Sequence, residues 1–270
     1  MIRRCLVALL APVFFAPLVV GEELADPKEI VDRMIAAAGG EAFASLGILE
    51  LEVTEDETRN DGTRAGKNYK ILVDTSNLNN LRMELPGDVV VAATEGGGWS
   101  TTAGALDDRP QASKAARTSL NQKAFRLLLP FSLKMDGVWI KEARESTTSD
   151  GREVWVIAVP FTKGFFTSPV MATTWIMVVA KDDYSLISIE FAPAPAFRNV
   201  SPVGVRYRIL KQMDLKGAKV VEQMLSVGIN SRYQESGATR VTKIKPSVRG
   251  PWDPALFLSP AQLASLEEDD

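Results

Sequence analysis

Residues 173–191, TTWIMVVAKDDYSLISIEF, set the fold class. Trp175, Met177 and Val179 alternate with Ile176, Val178 and Ala180, so this strand is apolar on both faces and calls for cover on both sides. Lys181-Asp182-Asp183 is polar turn material, and Leu186, Ile187, Ile189 and Phe191 form the return strand. A lone hairpin is marginal in water, so more strands or a helix must flank it.

Upstream, Asp26-Pro27 opens a helix, with Asp26 as N-cap. Its apolar stripe is Ile30, Val31, Met34, Ile35 and Ala38, and Gly39-Gly40 ends it. Strand patterns follow. Leu49, Leu51 and Val53 alternate with Glu50, Glu52 and Thr54, Asn60-Asp61-Gly62 marks a hairpin, and Tyr69, Ile71 and Val73 return. Leu81, Met83 and Leu85, the run 88–94 and a short strand opened by Trp99 complete this half.

Residues 104–119 read as a polar loop, partly helical at 113–117. A second helix capped by Thr118 or Ser119 carries Leu120, Ala124, Leu127 and Leu128, widened by Phe125 and Leu129, and stops at Pro130. A helix this apolar is buried on much of its circumference. Strands resume at 138–143 and, after Asp150-Gly151, at 154–159. Beyond the 173–191 hairpin, Ala192-Pro193-Ala194-Pro195 breaks the pattern. Val203, Val205, Tyr207 and Ile209 then alternate with Arg206 and Arg208. Residues 220–227 return after a turn at Lys216-Gly217, Thr239, Val241 and Lys243 form a last strand, and a Phe257 turn, a short helix and an acidic tail close the chain.

The expected fold is mainly β (α+β): a curved antiparallel half-barrel of about eleven hairpin-linked strands, with a few helices covering the concave side. Residues 1–21 stand apart. Arg3 and Arg4 precede an apolar run broken by Pro12 and Pro17, and small residues close it, as in a cleaved signal peptide. The run is too short and too proline-rich for a comfortable membrane anchor. Residues 22–270 then form one domain, exported and periplasmic.

The single cysteine, Cys5, leaves with the leader, so no disulfide supports the fold. Loss of Arg3 and Arg4 takes the formal charge from −3 to −5, and no basic cluster with interleaved aromatics appears, which argues against nucleic acid. The chain has no histidine, which excludes histidine-based triads and histidine metal sites, and structural zinc is equally disfavoured without cysteine ligands. The expectation is a non-enzyme with no catalytic residue, metal or cofactor.

Other motifs read as turns. Residues 62–67, GTRAGK, imitate a phosphate loop but lie between two strands, with Asn68 where a Ser or Thr belongs. Asp107-Asp108, Asp182-Asp183 and the acids at 267–270 fall in turns or the tail. Arg206 and Arg208 share a strand face and either pair with a lipid headgroup or a carboxylate or, as is commoner, face solvent. Two helices are little cover for so many strands, so a concave face with an apolar cavity is expected. Its candidate wall and lid residues are Trp99, Phe125, Leu128, Trp139, Trp155, Phe165, Phe166, Met171, Trp175 and Met177. The first reading of each tryptophan is plain core, and the cavity wall is the functional alternative. The loop at 160–173 either tucks its aromatics into the core edge or forms an apolar lid that touches lipid.

The order of these parts resembles the LolA/LolB-like superfamily of periplasmic lipoprotein carriers and lipoprotein-sorting proteins. It runs from a helix ending in Gly39-Gly40, through the Trp99 strand and the 120–129 helix, to the Trp175 hairpin and the Pro254-Ala255-Leu256-Phe257 turn. The resemblance implies a half-barrel with helices across its open side and a cavity for acyl chains. In the carriers a buried arginine helps control opening; no position here takes it by pattern. The implied function is binding or transport of a lipid, a lipoprotein acyl chain or another hydrophobic ligand by a monomer, with transient contacts to inner- or outer-membrane proteins. The alternative is a protein-interaction or envelope-sensing module with a filled core.

Overall fold

The computed structural model describes residues 26–59, 61–167, 171, 174–191, 204–230 and 234–268. The leader, the 192–195 breaker, Asn60, Val203 and the last two acids of the tail lie outside the described residues.

Among the described residues one antiparallel sheet of 13 strands dominates, in the order β6-β5-β4-β3-β2-β1-β13-β12-β11-β10-β9-β8-β7. The first meander is β1 (Ile48–Thr58), β2 (Arg64–Asp74), β3 (Leu81–Leu85), β4 (Val89–Thr94), β5 (Gly97–Thr102) and β6 (Ala105–Leu106). The second is β7 (Glu142–Thr147), β8 (Glu153–Val159), β9 (Trp175–Ala180), β10 (Leu186–Phe191), β11 (Gly204–Leu215), β12 (Ala218–Ile229) and β13 (Glu235–Gly250). The first and last strands pair at the centre, from Ile48 opposite Gly250 to Thr58 opposite Thr239. The edges β6 and β7 stay apart, so the sheet is a curved half-barrel and not a closed barrel. Across the central pair β1 is acidic and β13 basic: Lys245 reaches Glu52 at 3.3 Å, Arg249 reaches Glu50 at 3.4 Å and Arg240 reaches Glu57 at 2.7 Å.

Helices α1 (Pro27–Ala37), α2 (Gly40–Ala44) and α3 (Ala112–Leu127) share one core with the concave face, while α4 (Pro260–Glu268) follows a 3-10 turn at Pro254–Leu256. Asp26 caps α1 by accepting the Lys28 amide at 2.9 Å. The loop expected at 104–119 becomes helix from Ala112 onward. Thr118 does not cap a new helix; it lies within α3, where its hydroxyl donates to the Lys114 and Ala115 carbonyls at 3.0 and 3.1 Å.

The strand expected at 138–143 lies later, at β7. Val138 forms only an isolated bridge with Phe161, and the edge strand itself is almost wholly polar, a composition that blunts an edge and hides it from an alternation search. Strand β9 is also less covered than its sequence implies. Trp175, Met177 and Val179 are buried against the concave core, whereas Ile176 and Val178 on the convex face are half-buried. The convex cover is local: Phe257 packs on Ile48 and Leu72.

Gly39, the N-cap of α2, has a left-handed backbone (φ 82°), and a Cβ there would fall 2.0 Å from the Gly217 carbonyl oxygen in the β11–β12 turn. Gly39→Ala should therefore cost about 1–3 kcal/mol from strain plus a docking penalty. Gly62→Ala, also at positive φ (81°) but in open space, should show the strain alone. Urea unfolding of the two variants reads the difference; equal losses would mean that the helix does not dock on that turn.

Candidate functional site

The concave face is filled at its centre by rings. Trp175, only 1% exposed, stacks on Phe166 (centroids 5.1 Å, 13°), Phe191 (4.8 Å, 23°) and Tyr207 (5.7 Å, 10°). Phe125 of α3 meets Trp175, Phe161, Phe165 and Phe166 edge-on at 5.1–6.1 Å. Strand pairing explains the placement on the sheet side: Val159 opposite Trp175 and Ile157 opposite Met177 put alternate residues on one face. The Trp175 indole N–H donates to the Met171 carbonyl at 3.0 Å, which ties the preceding segment down.

Of the expected cavity residues, Phe125, Leu128, Phe165, Phe166, Met171, Trp175 and Met177 are buried in this one core. Trp155 is half-buried at its margin, with the Lys181 ammonium 4.6 Å from its ring centre. Trp99 and Trp139 are not brought there. Gly98 faces α3 so closely that a Cβ would lie 2.6 Å from the Ser113 carbonyl oxygen, so Trp99 points the other way and donates to the Phe257 carbonyl at 2.8 Å on the convex side. Trp139 precedes β7 and is 61% exposed. Of the two fates open to the 160–173 loop, its described part takes the first: Phe165 and Phe166 tuck into the core.

Of the openings beside the rings, two lie at the ends of the row stacked on Trp175. The larger, about 370 Å³, lies between α3 and the segment after Phe161; Ala115, Thr118 and Phe166 line it, with Lys114 and Lys163 among the residues around it. The smaller, about 160 Å³, lies at the rim where β11 starts and β12 ends, lined by Tyr207, Ser226, Val227, Glu57 and Arg240. Tyr207 and Phe166 thus place the ends of one stacked row at the two openings.

Beside this row sits a buried ion cluster that sequence reading missed. Glu55, 2% exposed, is paired with Arg126, with Lys123 at 3.3 Å and with Arg240 at 3.7 Å, and it accepts the Tyr69 hydroxyl at 2.6 Å. Burial alone would raise the Glu55 carboxyl, but the Arg126 charge, the Tyr69 hydrogen bond and the charges of Lys123 and Arg240 hold it down at about 2. Burial, and then the neighbouring Arg126 charge, push the Lys123 ammonium down to about 8. The signal was present: Glu55 is the next inward position after Leu49, Leu51 and Val53, and Arg126 lies on the helix expected to be buried nearly all round.

A pH dependence follows. The unfolded chain protonates Glu55 in the ordinary carboxylate range and the folded chain only near pH 2, so the unfolded state binds more protons between. The stability this group contributes is complete above about pH 5 and is lost as pH falls toward 2. Urea midpoints from pH 7 to 2.5 should fall more steeply for the wild type than for Glu55→Gln; parallel curves would contradict the linkage.

The other candidate acids are partnered turn residues: Asp107 binds Arg109 at 2.6 Å, and Asp182 and Asp183 bind Arg152 at 2.8 and 3.0 Å. Arg206 and Arg208 pair with Glu190 and Glu235, and Arg64 and Lys67 of the phosphate-loop lookalike lie on β2. Among the described residues, no three His, Cys, Asp or Glu side chains converge as a metal site, and no helix is long and apolar enough to cross a membrane.

No family model matches the chain, and no curated protein matches it by sequence. Its fold is similar to the crystal structure of a LolA superfamily protein from Nitrosomonas europaea, with a TM-score of 0.57 at 11% identity over 86% of this chain and 98% of that one. A DUF1329 family protein from Desulfovibrio piger gives 0.56 at 15% identity, over 88% and 99%. At these identities the likeness is one of fold.

Proposed function

We propose that this LolA-type fold, exported to the periplasm, binds an acyl chain or another hydrophobic ligand non-covalently and carries or presents it without chemistry. The observation that carries the reading is the 370 Å³ opening beside α3, one wall of which, Phe166, is also part of the aromatic core. That volume falls within the roughly 300–1,000 Å³ of ordinary ligand pockets. Each methylene removed from water contributes about 0.8 kcal/mol, and rotation of Phe166 off Trp175 would lengthen the slot into the core. Gly164, at φ 88° beside it, is a backbone position where such movement costs little. The partners would be lipids or lipoprotein acyl chains, with transient docking to membrane proteins and a monomeric chain.

The filled centre of the concave face supports a second reading, a protein-interaction or envelope-sensing module. Native mass spectrometry of the protein purified gently from periplasm separates the two. A discrete added mass that organic solvent extracts, and that fragments as a lipid, is the result expected of a carrier. An apo mass that stays unchanged after incubation with phospholipid and lipopeptide would favour the interaction module.

A further inference from the structure

Four buried polar side-chain atoms among the described residues lack a hydrogen-bond partner: Arg126 Nε, Arg240 Nε, Ser226 Oγ and Thr242 Oγ1. They are not scattered. Arg126 and Arg240 both bind Glu55, Thr242 stands opposite Glu55 in the β1–β13 register, and Ser226 stands opposite Arg240 in the β12–β13 register. Ser226, only 7% exposed, and Arg240 both line the 160 Å³ rim pocket. A buried donor left unmade costs about 1–3 kcal/mol, so four at one spot call for an acceptor.

The chemistry of that acceptor is constrained. An arginine Nε can only donate, and the two hydroxyls can donate, so a cation or a pure donor does not fit. The cluster holds Lys123, Arg126 and Arg240 against Glu55 and Glu57, three cations to two carboxylates. Glu57 is itself in the pocket wall, but its carboxylate is engaged by Arg240 at 2.7 Å. The pocket is too small for a chain, and Tyr207 in its wall stacks on Trp175, which stacks on Phe166 at the larger opening.

We propose that the rim pocket is an oxyanion site that takes the carboxylate or phosphate head of the ligand, while its apolar chain follows the ring row toward the 370 Å³ opening. This rests on the hydrophobic-ligand reading of the same concave face. Arg240 and Ser226 line the pocket with their unpaired atoms closed to solvent behind its wall, and Thr242 and Arg126 lie deeper, so the head reaches these donors only as the wall side chains turn aside. The ligand class is an anionic amphiphile.

The test is calorimetric titration of the signal-cleaved chain with decanoate, decyl phosphate and decanol. At least one anion should bind about tenfold or more tightly than decanol, as a charge-assisted hydrogen bond returns. Decanoate alone or decyl phosphate alone identifies the head. In a Ser226→Ala/Thr242→Val variant the anion advantage over decanol should fall below about threefold. Removing hydroxyls that have no partner should leave the fold intact, which a melting curve checks. If decanol binds as well as both anions, or if the preference survives in the variant, the oxyanion site is overturned and the hydrophobic-ligand reading stands. If none of the three binds, that reading fails and the oxyanion site with it.

Discussion

Glu55→Gln should destabilise the protein by about 3–5 kcal/mol, because it leaves Arg126 buried without its carboxylate. Arg126 is only 5% exposed, and Lys123 and Arg240 stand on the same carboxylate, so the variant also sets three cations against one another. For a chain of this size the loss corresponds to a fall in melting temperature of roughly 6–20 °C. The informative comparison is the double variant Glu55→Gln/Arg126→Met. Replacing a buried ion pair by groups of similar volume is often neutral, so the double variant should be more stable than the sum of the single losses implies, by about 2 kcal/mol or more. Strictly additive losses in denaturant melts would show that the two side chains do not act as a unit.

Trp175→Ala should be comparably severe, about 3–5 kcal/mol. The indole is shared by rings from α3, by Phe161 and Phe166, and by rings from β10 and β11, and its removal leaves a void that none of them fills without moving. Trp139→Ala makes the contrast. Its ring lies largely in solvent, and the change should stay within about 0.5 kcal/mol. Urea unfolding of the pair reads this directly; similar losses would mean that the ring row is not the centre of the core.

Much of the architecture was legible because burial writes a period into the chain. The period-two run at Leu49–Val53 fixes which residues face inward, the Trp175–Ala180 run marks a strand without choosing its inner face because it is apolar on both, and the Asp-Gly and Lys-Gly turns fix antiparallel neighbours. What escaped has physical causes. β7 is a polar edge strand and carries no buried stripe, while the apolar residues just before it attracted the assignment. Thr118 looks like a cap until its hydroxyl is seen to bond backward within the helix. The pairing of β1 with β13 leaves no local trace, because its determinants lie 193 residues apart for Lys245 and Glu52. At the candidate site the rings were readable as apolar residues, but tryptophan content alone does not say which face a residue takes; Trp99 and Trp139 went elsewhere. The ion cluster was hidden because charged side chains ordinarily face solvent, although its two central members sit in phase with buried neighbours.

The central pairing of first and last strands also sets an order of events during synthesis. β1 emerges early, and its free edge must wait for almost the entire chain before β13 exists to close it. An unpaired edge held open for that interval is a template for association with other nascent copies. The run Glu50, Glu52, Glu55, Asp56 and Glu57 gives two such edges the same sign, so they repel, while the lysines and arginines of β13 make it the partner that is attracted. The acidic strand thus guards its own vacancy, and the opposite charges that arrive last select the register in which the sheet is sealed.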